Sequence, residues 1–379
     1  MNKNRIGSAP HVSALCGISM ICRRSGGPPR KPAPTTAAPG SLGRRGDFPV
    51  RRLRHAGAAL AALLAVARPA FAAPPSAPGT GAIVTLQLED SGLTGNDRYY
   101  AAGGRLSWTS PADQVPDPLG RLGHALWGAG VQRISLGLSQ RIYTPHATQL
   151  SVPPPTDRPY AGLLLGHLAL IEDGAAGRNS LSLSLGVIGP AALAEEIQNG
   201  VHGVIGQNSN KGWGSQLPNQ PVLEVQAAHV WRFRLGHAGP IAFDVLPSVA
   251  AGVGTWRIYA QAGALIRLGQ GLGSDYGPAR LAPGLSGGTA YTPTRRFAWY
   301  VFVGADGQAV AWDETLQGEP FRSTAHVGLE PLVGEAEIGV AVIVHGVRAS
   351  LTHVVQTATF RTQSAGLVQF DSLAVAIPF

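Results

Sequence analysis

The amino-acid sequence predicts an all-β fold, a twelve-stranded antiparallel transmembrane β-barrel with a short helix in an extracellular-side loop. The main observation is an alternation of apolar residues with polar or small ones that recurs through residues 83–379. A second observation is a leader with the features of an export signal. The third is Phe379, an aromatic residue at the end of the last predicted strand, where barrel-assembly machinery would recognise it.

The export signal lies at about residues 50–72. Residues 51–54 (Arg-Arg-Leu-Arg) form a basic region, residues 58–67 form an apolar core, and Ala70-Phe71-Ala72 fits the small-x-small cleavage pattern. A helix that spans a bilayer needs about 20 apolar residues, so this core is too short to anchor the chain. The pattern predicts a secretory signal peptide and a mature chain that begins near Ala73.

The chain divides into a leader at 1–72, a linker at 73–82 and a barrel at 83–379. The linker is rich in Pro, Ala and Gly, and the strand pattern begins directly after it. Residues 1–49 are rich in Pro, Gly and Arg and have no role ahead of a signal peptide. We interpret them as an over-extended start, with a twin-Arg or longer targeting leader as the alternative.

The charge distribution argues against a nucleic-acid partner. The whole chain has a formal net charge of +8, but residues 1–72 hold 12 of the Lys and Arg residues and one acidic residue. Residues 73–379 hold 18 basic and 21 acidic residues, with Lys211 as the only lysine, so no basic stripe can follow a phosphate backbone. Both cysteines, Cys16 and Cys22, lie in the leader, so the mature chain offers no disulfide and no thiol nucleophile.

Twelve segments share the alternating pattern. Most of them run about 9–17 residues, and none is continuous enough for a transmembrane helix, as is typical of an outer-membrane barrel. Aromatic residues lie near many strand ends, where interfacial girdles are expected. A closed barrel also explains how so many strands coexist without exposed edges. The predicted strands are Ile83–Glu89, Arg105–Trp108, Arg133–Ser139, Tyr160–Ile171, Ser180–Ile188, Pro221–Leu235, Pro240–Val253, Thr255–Leu268, Arg296–Trp312, Glu335–His345, Val347–Phe360 and Gly366–Phe379.

Strand parity predicts which connections share a rim. If the first strand rises from the periplasm, the Glu89–Asp97 turn and the Gly189–Asn219 connection both lie on the extracellular side, where their residues can meet. The Gly269–Arg295 connection is long and Gly-rich, yet parity places it on the periplasmic side, where turns are usually short. Charged residues are few in the mature chain, which favours a plugged lumen over an open pore.

The most informative stretch joins a strand to a short helix. The strand ends at Gly186-Val187-Ile188-Gly189-Pro190, and the following helix places Glu195, Gln198, Asn199 and His202 on one face. An imidazole on a short helix beyond a strand end is well placed for general-base catalysis, because the strand fixes the helix and the helix fixes the ring. The alternative interpretation is a surface histidine with satisfied hydrogen bonds.

Four motifs occur in the order seen in a known family. The motifs are Asn96-Asp97-Arg98-Tyr99-Tyr100, Asp157-Arg158-Pro159-Tyr160-Ala161-Gly162, the Gly186–Pro190 strand end with Glu195–Asn199 and His202, and Lys211-Gly212-Trp213. With these motifs, the sequence resembles the LpxR-type lipid A 3′-O-deacylases over nearly the whole mature chain. The resemblance implies an enzyme in the outer membrane of a Gram-negative bacterium that hydrolyses the ester holding the 3′ acyloxyacyl chain of lipid A. It also implies Ca²⁺ as the electrophile and a His-activated water as the nucleophile.

The chemistry of ester hydrolysis and the resemblance together suggest the site residues. Hydrolysis needs a base for water and positive charge where the oxyanion develops, and a hard cation held by oxygen ligands can supply that charge. For the acidic candidates, a solvated strand end or a turn cap is the alternative interpretation. The catalytic candidates are His202, Gln198 and Asn208; the candidate calcium ligands are Glu89, Asp90 and Ser91; and the candidates for substrate binding are Arg98, Tyr100 and Lys211.

Three departures from the family pattern bear on activity. The family's Glu-Asn-Asp is matched without a gap by Glu89-Asp90-Ser91, whereas a one-residue insertion aligns Asp90 with the aspartate and Glu89 with the asparagine. The family's Tyr-Thr-Asn-Gly is here Tyr100-Ala101-Ala102-Gly103, and Asn208 stands where an acidic residue is expected. Two functions therefore stay open: a calcium-dependent lipid A esterase at the outer leaflet, and a non-catalytic outer-membrane barrel that binds lipopolysaccharide or forms a small pore.

Overall fold

The computed structural model describes residues 81–92, 98–281 and 283–379. The predicted leader at 1–72 and nearly all of the linker at 73–82 lie outside the described residues. The strands of the described part are β1 (Ile83–Asp90), β2 (Tyr99–Thr109), β3 (Val131–Thr144), β4 (Ala161–Asp173), β5 (Gly177–Ile188), β6 (Gln220–Trp231), β7 (Phe233–Ala238), β8 (Ile241–Gly254), β9 (Arg257–Gln270), β10 (Phe297–Asp313), β11 (Leu332–Val344), β12 (Val347–Thr357) and β13 (Leu367–Pro378).

Twelve of these strands close into an antiparallel barrel. β1 pairs with β2 on one side and with β13 on the other, so that Ile83 lies opposite Pro378. The ring closes where β6 pairs with β8. The structure therefore confirms the predicted twelve-stranded fold. One predicted strand, Pro221–Leu235, is interrupted at Arg232, and its continuation β7 pairs with β8 beyond the β6–β8 pairing.

The wall of the barrel is apolar outside and polar inside. In β1 the side chains of Thr85, Gln87 and Glu89 are buried, while Leu88 on the opposite face is exposed. The same alternation runs along β10, the longest strand, where Val301 and other outward side chains are exposed. Exposed apolar side chains in such a band are unfavourable in water and favourable in a bilayer. The period-two pattern thus defines a lipid-facing band.

The described residues of the connection between β9 and β10, which are 271–281 and 283–296, fill the lumen, and we call them the plug. Arg178 on β5 donates hydrogen bonds to the carbonyl oxygens of Gly287 (2.6 Å) and Ala290 (2.7 Å). Tyr291 donates to the carbonyl oxygen of Ala376 on β13, 3.0 Å away. The plug therefore contacts separate parts of the wall, which accounts for its unexpected length and confirms the predicted plugged lumen.

Arg280 is the central attachment of the plug to the wall. Its guanidinium lies 2.5 Å from Glu337, 3.5 Å from Glu335 and 3.8 Å from Glu89. None of these four side chains is more than 2% exposed. One buried cation thus faces three buried carboxyl groups from β1 and β11, and its charge stabilises those that are ionised.

Three α-helices occur in the described residues: α1 (Asp117–Trp127), α2 (Ala194–Ile205) and α3 (Glu314–Gln317). The helix α2 confirms the prediction for the stretch after Pro190, and a short 3₁₀ helix at Pro190–Ala192 precedes it. The helix α1 was not predicted, because the two glycines within it lower helix propensity. No helix in the described part of the chain is long and apolar enough to cross a membrane.

Replacing Arg280 with alanine should weaken the barrel. Loss of the cation leaves three buried carboxylates without compensating charge, which typically costs about 3–5 kcal/mol. We expect the folded band in a heat-modifiability gel assay to convert to the unfolded band at a lower temperature than for the wild type. The matched control is Arg322→Ala, because Arg322 pairs with Glu319 at 3.7 Å but is 77% exposed. Equal midpoints for the two variants would contradict the role given to Arg280.

Candidate active site on the outer wall of the barrel

The residues after β5 redirect the chain into α2. Gly189 has a φ of +103°, and a Cβ at this position would lie 2.6 Å from the backbone of Pro218, so only glycine fits. Pro190 then begins the 3₁₀ helix, consistent with the preference of proline for the first helical position. Leu193, with a φ of +57°, turns the chain once more before α2 begins. This double turn carries α2 away from the end of β5.

The helix α2 packs on the outer wall of the barrel. On β3, the outward-facing Gln140 donates a hydrogen bond to the carbonyl oxygen of Ala192, just before the helix. On β4, Gly162 makes room for Ala194, because a Cβ at Gly162 would lie 2.5 Å from that of Ala194. Ile142, also on the outer face of β3, belongs to the same buried cluster as Ala194. The inner face of α2 therefore faces the wall, outside the lumen.

The wall-facing side of α2 carries Ala194, Gln198 and His202, spaced four residues apart and all buried. Gln198 accepts a hydrogen bond of 3.2 Å from the indole N–H of Trp213. Trp213 is fully buried and packs against Tyr160 with 4.8 Å between ring centroids. The residues that follow the helix therefore hold it against the barrel.

His202 is 6% exposed, and its Nδ1 lies 2.9 Å from the backbone oxygen of Asn208. A carbonyl oxygen can only accept, so Nδ1 donates this hydrogen bond, and in the neutral imidazole the lone pair is then on Nε2. A buried imidazole fixed in this tautomer is suited to accept a proton from water. The side chain of Asn208 is exposed, so this residue contacts His202 through its backbone.

Glu89 shares the predicted rim with α2 but points into the lumen. Its carboxylate accepts a hydrogen bond from the hydroxyl of Tyr100 (2.7 Å) and one from the backbone N–H of Leu281 in the plug (3.1 Å). The structure thus places the predicted ligand Glu89 and the predicted substrate residue Tyr100 on the opposite side of the wall from His202. Parity fixes the rim on which a residue lies but not the face of the strand, which alternates at every residue.

Asp90 and Ser91 are the predicted ligands that lie nearer to α2. Asp90 faces outward opposite Ala102, which packs against the buried cluster beneath the helix, and one of its oxygens accepts the N–H of Gly92. Ser91 is buried and donates to the carbonyl oxygen of Ala101, 3.1 Å away. Among the residues that the structure describes, no three or more His, Cys, Asp or Glu side chains are grouped to hold a metal ion.

The other two substrate candidates lie in the rim connections. Arg98 contacts His146 with 2.5 Å between Nη1 and Nδ1. The side chain of Lys211 is exposed, and its backbone N–H donates to the carbonyl oxygen of Thr148 at 3.0 Å. Since His146 and Thr148 both belong to the β3–β4 connection, the two cations border the same connection.

Three residues that hold α2 in place received no role from the sequence: Gln140, Asn210 and Trp213. Trp213 was part of the motif Lys211-Gly212-Trp213, so only its function was missing. Asn210 exchanges hydrogen bonds of 2.8 and 3.3 Å with Asn199 on α2. Gln140 is a polar residue on the outward face of a barrel strand, where an apolar residue is expected. This polar residue in the apolar alternation of β3 was the signal in the sequence that could have indicated a contact on the outer wall.

Arg158, from the second family motif, closes the mouth of the lumen. It is buried, donates to the hydroxyl of Thr315 (3.0 Å), and lies 4.3 Å from the ring centre of Tyr143. Burial lowers the pKa of Arg158. Burial also raises the pKa of Glu314, on the neighbouring helix α3, to about 7. These charged groups belong to the interior of the barrel, apart from the outer wall where His202 lies.

Three solved proteins are similar to this chain, and of these three only the first has a TM-score above 0.5. LpxR from Salmonella typhimurium matches with a TM-score of 0.65 and 21% identity, over 78% of this chain and 100% of that chain. The beta domain of the Bordetella autotransporter Brka has a TM-score of 0.39 and 10% identity, over 79% of this chain and 100% of that chain. The translocator domain of the autotransporter NalP from Neisseria meningitidis has a TM-score of 0.35 and 11% identity, over 87% of this chain and 98% of that chain. No curated protein matches the chain.

A family model matches most of the sequence. Its description is Outer membrane protein LpxR, and the match covers residues 58–379. These residues include all the described strands and the helix that carries His202. The chain therefore belongs to the outer membrane protein LpxR family.

Proposed function

We propose that this protein hydrolyses the ester that holds the 3′ acyloxyacyl chain of lipid A, with His202 as the general base. The observation that carries the proposal is the burial of His202 on the wall-facing side of α2, with Nδ1 bonded to the Asn208 carbonyl, which leaves the lone pair of the neutral imidazole on Nε2. This position is on the lipid side of the barrel, where the ester of a membrane lipid can approach. The resemblance of the motifs to the lipid A deacylases supports the same substrate.

The proposed reaction begins when Nε2 of His202 takes a proton from a water molecule. The water oxygen bonds to the ester carbonyl carbon and forms a tetrahedral oxyanion. The oxyanion then collapses, the bond to the 3′ oxygen of the sugar breaks, and the imidazolium returns its proton to that oxygen. The products are an acyloxyacyl fatty acid and lipid A with a free 3′ hydroxyl. Gln198 and Trp213 act by holding the helix that carries the base.

Calcium is part of this proposal, with a smaller set of ligands than the sequence suggested. Asp90 and Ser91, together with backbone carbonyl oxygens, would hold the ion on the outer face of the wall. Glu89 does not fit, because its carboxylate is hydrogen-bonded to Tyr100 inside the lumen. A bound calcium ion would supply positive charge beside the ester carbonyl.

The rim that carries α2 is proposed to face the outer leaflet, in line with the predicted parity. Arg98 and Lys211 lie in connections at this rim, where their charges suit the phosphate groups of lipid A. The proposal also includes export by the signal peptide at about residues 50–72. The last part of the proposal is insertion into the membrane by the barrel-assembly machinery, which would recognise the last strand ending at Phe379.

A non-catalytic barrel that binds lipopolysaccharide is the second candidate. The observation that favours it is the hydrogen bond between Ser91 and Ala101, because these two residues stand, without a gap, where the family has aspartate and threonine. A carboxylate and a hydroxyl are therefore replaced at two places that contact each other in the structure. The plug, held by Arg280, argues against the pore form of this alternative.

His202→Ala tests the proposed base. We expect the variant to assemble and keep its heat-modifiable mobility, and hydrolysis of the lipid A ester to fall by roughly the 10²–10⁴-fold that general-base catalysis contributes. Mass spectrometry of lipid A from a lipopolysaccharide-bearing host that expresses each variant measures the loss of the acyloxyacyl chain.

The matched control is His326→Ala, because His326 also bonds through Nδ1 to a backbone carbonyl, that of Thr324, but is exposed in the β10–β11 connection. Equal deacylation by the wild type and both variants would remove His202 from the reaction. Deacylation by none of the three would favour the non-catalytic barrel.

Gln198→Ala should lower activity without abolishing it. The substitution removes the acceptor for the indole N–H of Trp213 and so loosens the helix that positions His202. We expect kcat to fall by about tenfold while the shape of the pH profile is kept, since the base itself is unchanged. Gln198→Glu retains an acceptor and should restore part of the rate. A Gln198→Ala enzyme with wild-type kcat would argue that this bond has no positioning role.

Chelation should abolish hydrolysis if calcium provides the positive charge. Added calcium should restore the rate better than magnesium, because calcium tolerates irregular sites with more oxygen ligands. In Asp90→Asn, the calcium concentration that gives half-maximal activity should rise, whereas Asp371→Asn serves as a control from the paired position on β13. Activity that survives thorough chelation would leave Asp90 with a structural role alone.

A further inference from the structure

One flank of α2 is apolar and yet exposed. Leu193, Ile197, Val201 and Val204 are 51%, 46%, 50% and 87% exposed. Their spacing of three to four residues puts them on one side of the helix. We call these four residues the apolar flank. A contiguous apolar surface of this kind on a protein marks a place where it meets lipid or another apolar partner.

The other sides of α2 have different surroundings. The wall-facing side, with Gln198 and His202, is buried against the barrel. Glu196, beyond that side, is exposed, and Asn199 is hydrogen-bonded to Asn210. At 100° per residue, the buried side separates the apolar flank from Glu195 and the neighbouring polar residues. The helix thus presents one face to the wall, one that is apolar and one that is polar, as an interfacial helix does.

The lipid-facing band of the barrel extends up to the apolar flank. On the outer face of β3, Leu136 and Leu138 are 47% and 55% exposed. Gln140 follows on the same face and bonds to Ala192 just ahead of α2. At about 3.3 Å per residue, that contact lies roughly 7 Å beyond Leu138. Because a helix with its side chains is about 10 Å wide, α2 borders the band directly.

We infer that the apolar flank of α2 is seated among the acyl chains of the outer leaflet, so that the adjacent side of the helix, which carries His202, is reached sideways from the lipid layer. Acyl chains are the occupant that continues the band already formed by Leu136 and Leu138. The seating of the flank stands on the structure, whereas its use as a route for the ester rests on the proposed function.

Collision measurements on spin labels test the seating. In a Cys16→Ser, Cys22→Ser background, Val204→Cys and Phe321→Cys each carry one nitroxide, and the protein is placed in phosphatidylcholine vesicles. Phe321 is the control because it is 92% exposed in the connection after β10 and lies next to the charged Arg322, whose side chain is 77% exposed.

The label at residue 204 should collide more with oxygen, which concentrates in lipid, than with a water-soluble nickel chelate. The label at residue 321 should show the reverse. Equal and high collision with the nickel chelate at both positions would overturn the inference.

Val204→Glu tests the lateral route. Removing a valine-sized apolar contact and adding a charge should lower hydrolysis of bilayer-embedded lipid A by about tenfold, while Phe321→Glu should leave it unchanged. Unchanged heat-modifiable mobility would show that both variants are folded. Full activity of Val204→Glu would contradict the route. If the wild type shows no hydrolysis, the proposed function fails, and the collision measurement still decides whether the flank is seated in lipid.

Discussion

The closure of the backbone hydrogen-bond ladder is the constraint on which the rest of the structure depends. In a bilayer no water is available to satisfy exposed N–H and C=O groups, so the last strand must pair with the first. The pairing of Ile83 with Pro378 meets that requirement. Closure then gives every strand an apolar outside and a polar inside. The interior left between twelve strands is too wide for wall side chains alone, and the plug fills it through Arg280 and its three carboxylates.

The two faces of the wall also decide where chemistry can take place. Glu89 and Asp90 are neighbours in sequence, yet one is bound to the plug and the other faces the side on which α2 packs. With the lumen filled, the proposed reaction between His202 and a membrane lipid is confined to the outer surface of the barrel. Gly162 and Gln140 allow α2 to pack on that surface. The location of His202 is thus a consequence of barrel closure and of two exceptions to the strand pattern.

Much of the fold could be predicted because alternation is local and repeats in every strand. The strand order, the shared rim and the helix with His202 followed from period, parity and the Gly189-Pro190 stop. The face on which Glu89 lies was missed, because parity does not specify which residues of a strand point inward. The break at Arg232 and the partners of the plug depend on contacts between residues far apart in sequence, such as Arg178 with Ala290, which no local pattern encodes. The contact of Trp213 with Gln198 belongs to the same class.

Hydrolysis in water enriched in oxygen-18 tests the central claim most directly. The purified protein, reconstituted with lipid A and calcium, should release an acyloxyacyl acid that carries one heavy oxygen, because water attacks the carbonyl carbon. The remaining lipid A should lose the mass of that chain and gain no heavy oxygen at the 3′ hydroxyl. Lipid A of unchanged mass, with no labelled acid, would contradict an esterase and leave a barrel that binds its lipid without cleaving it.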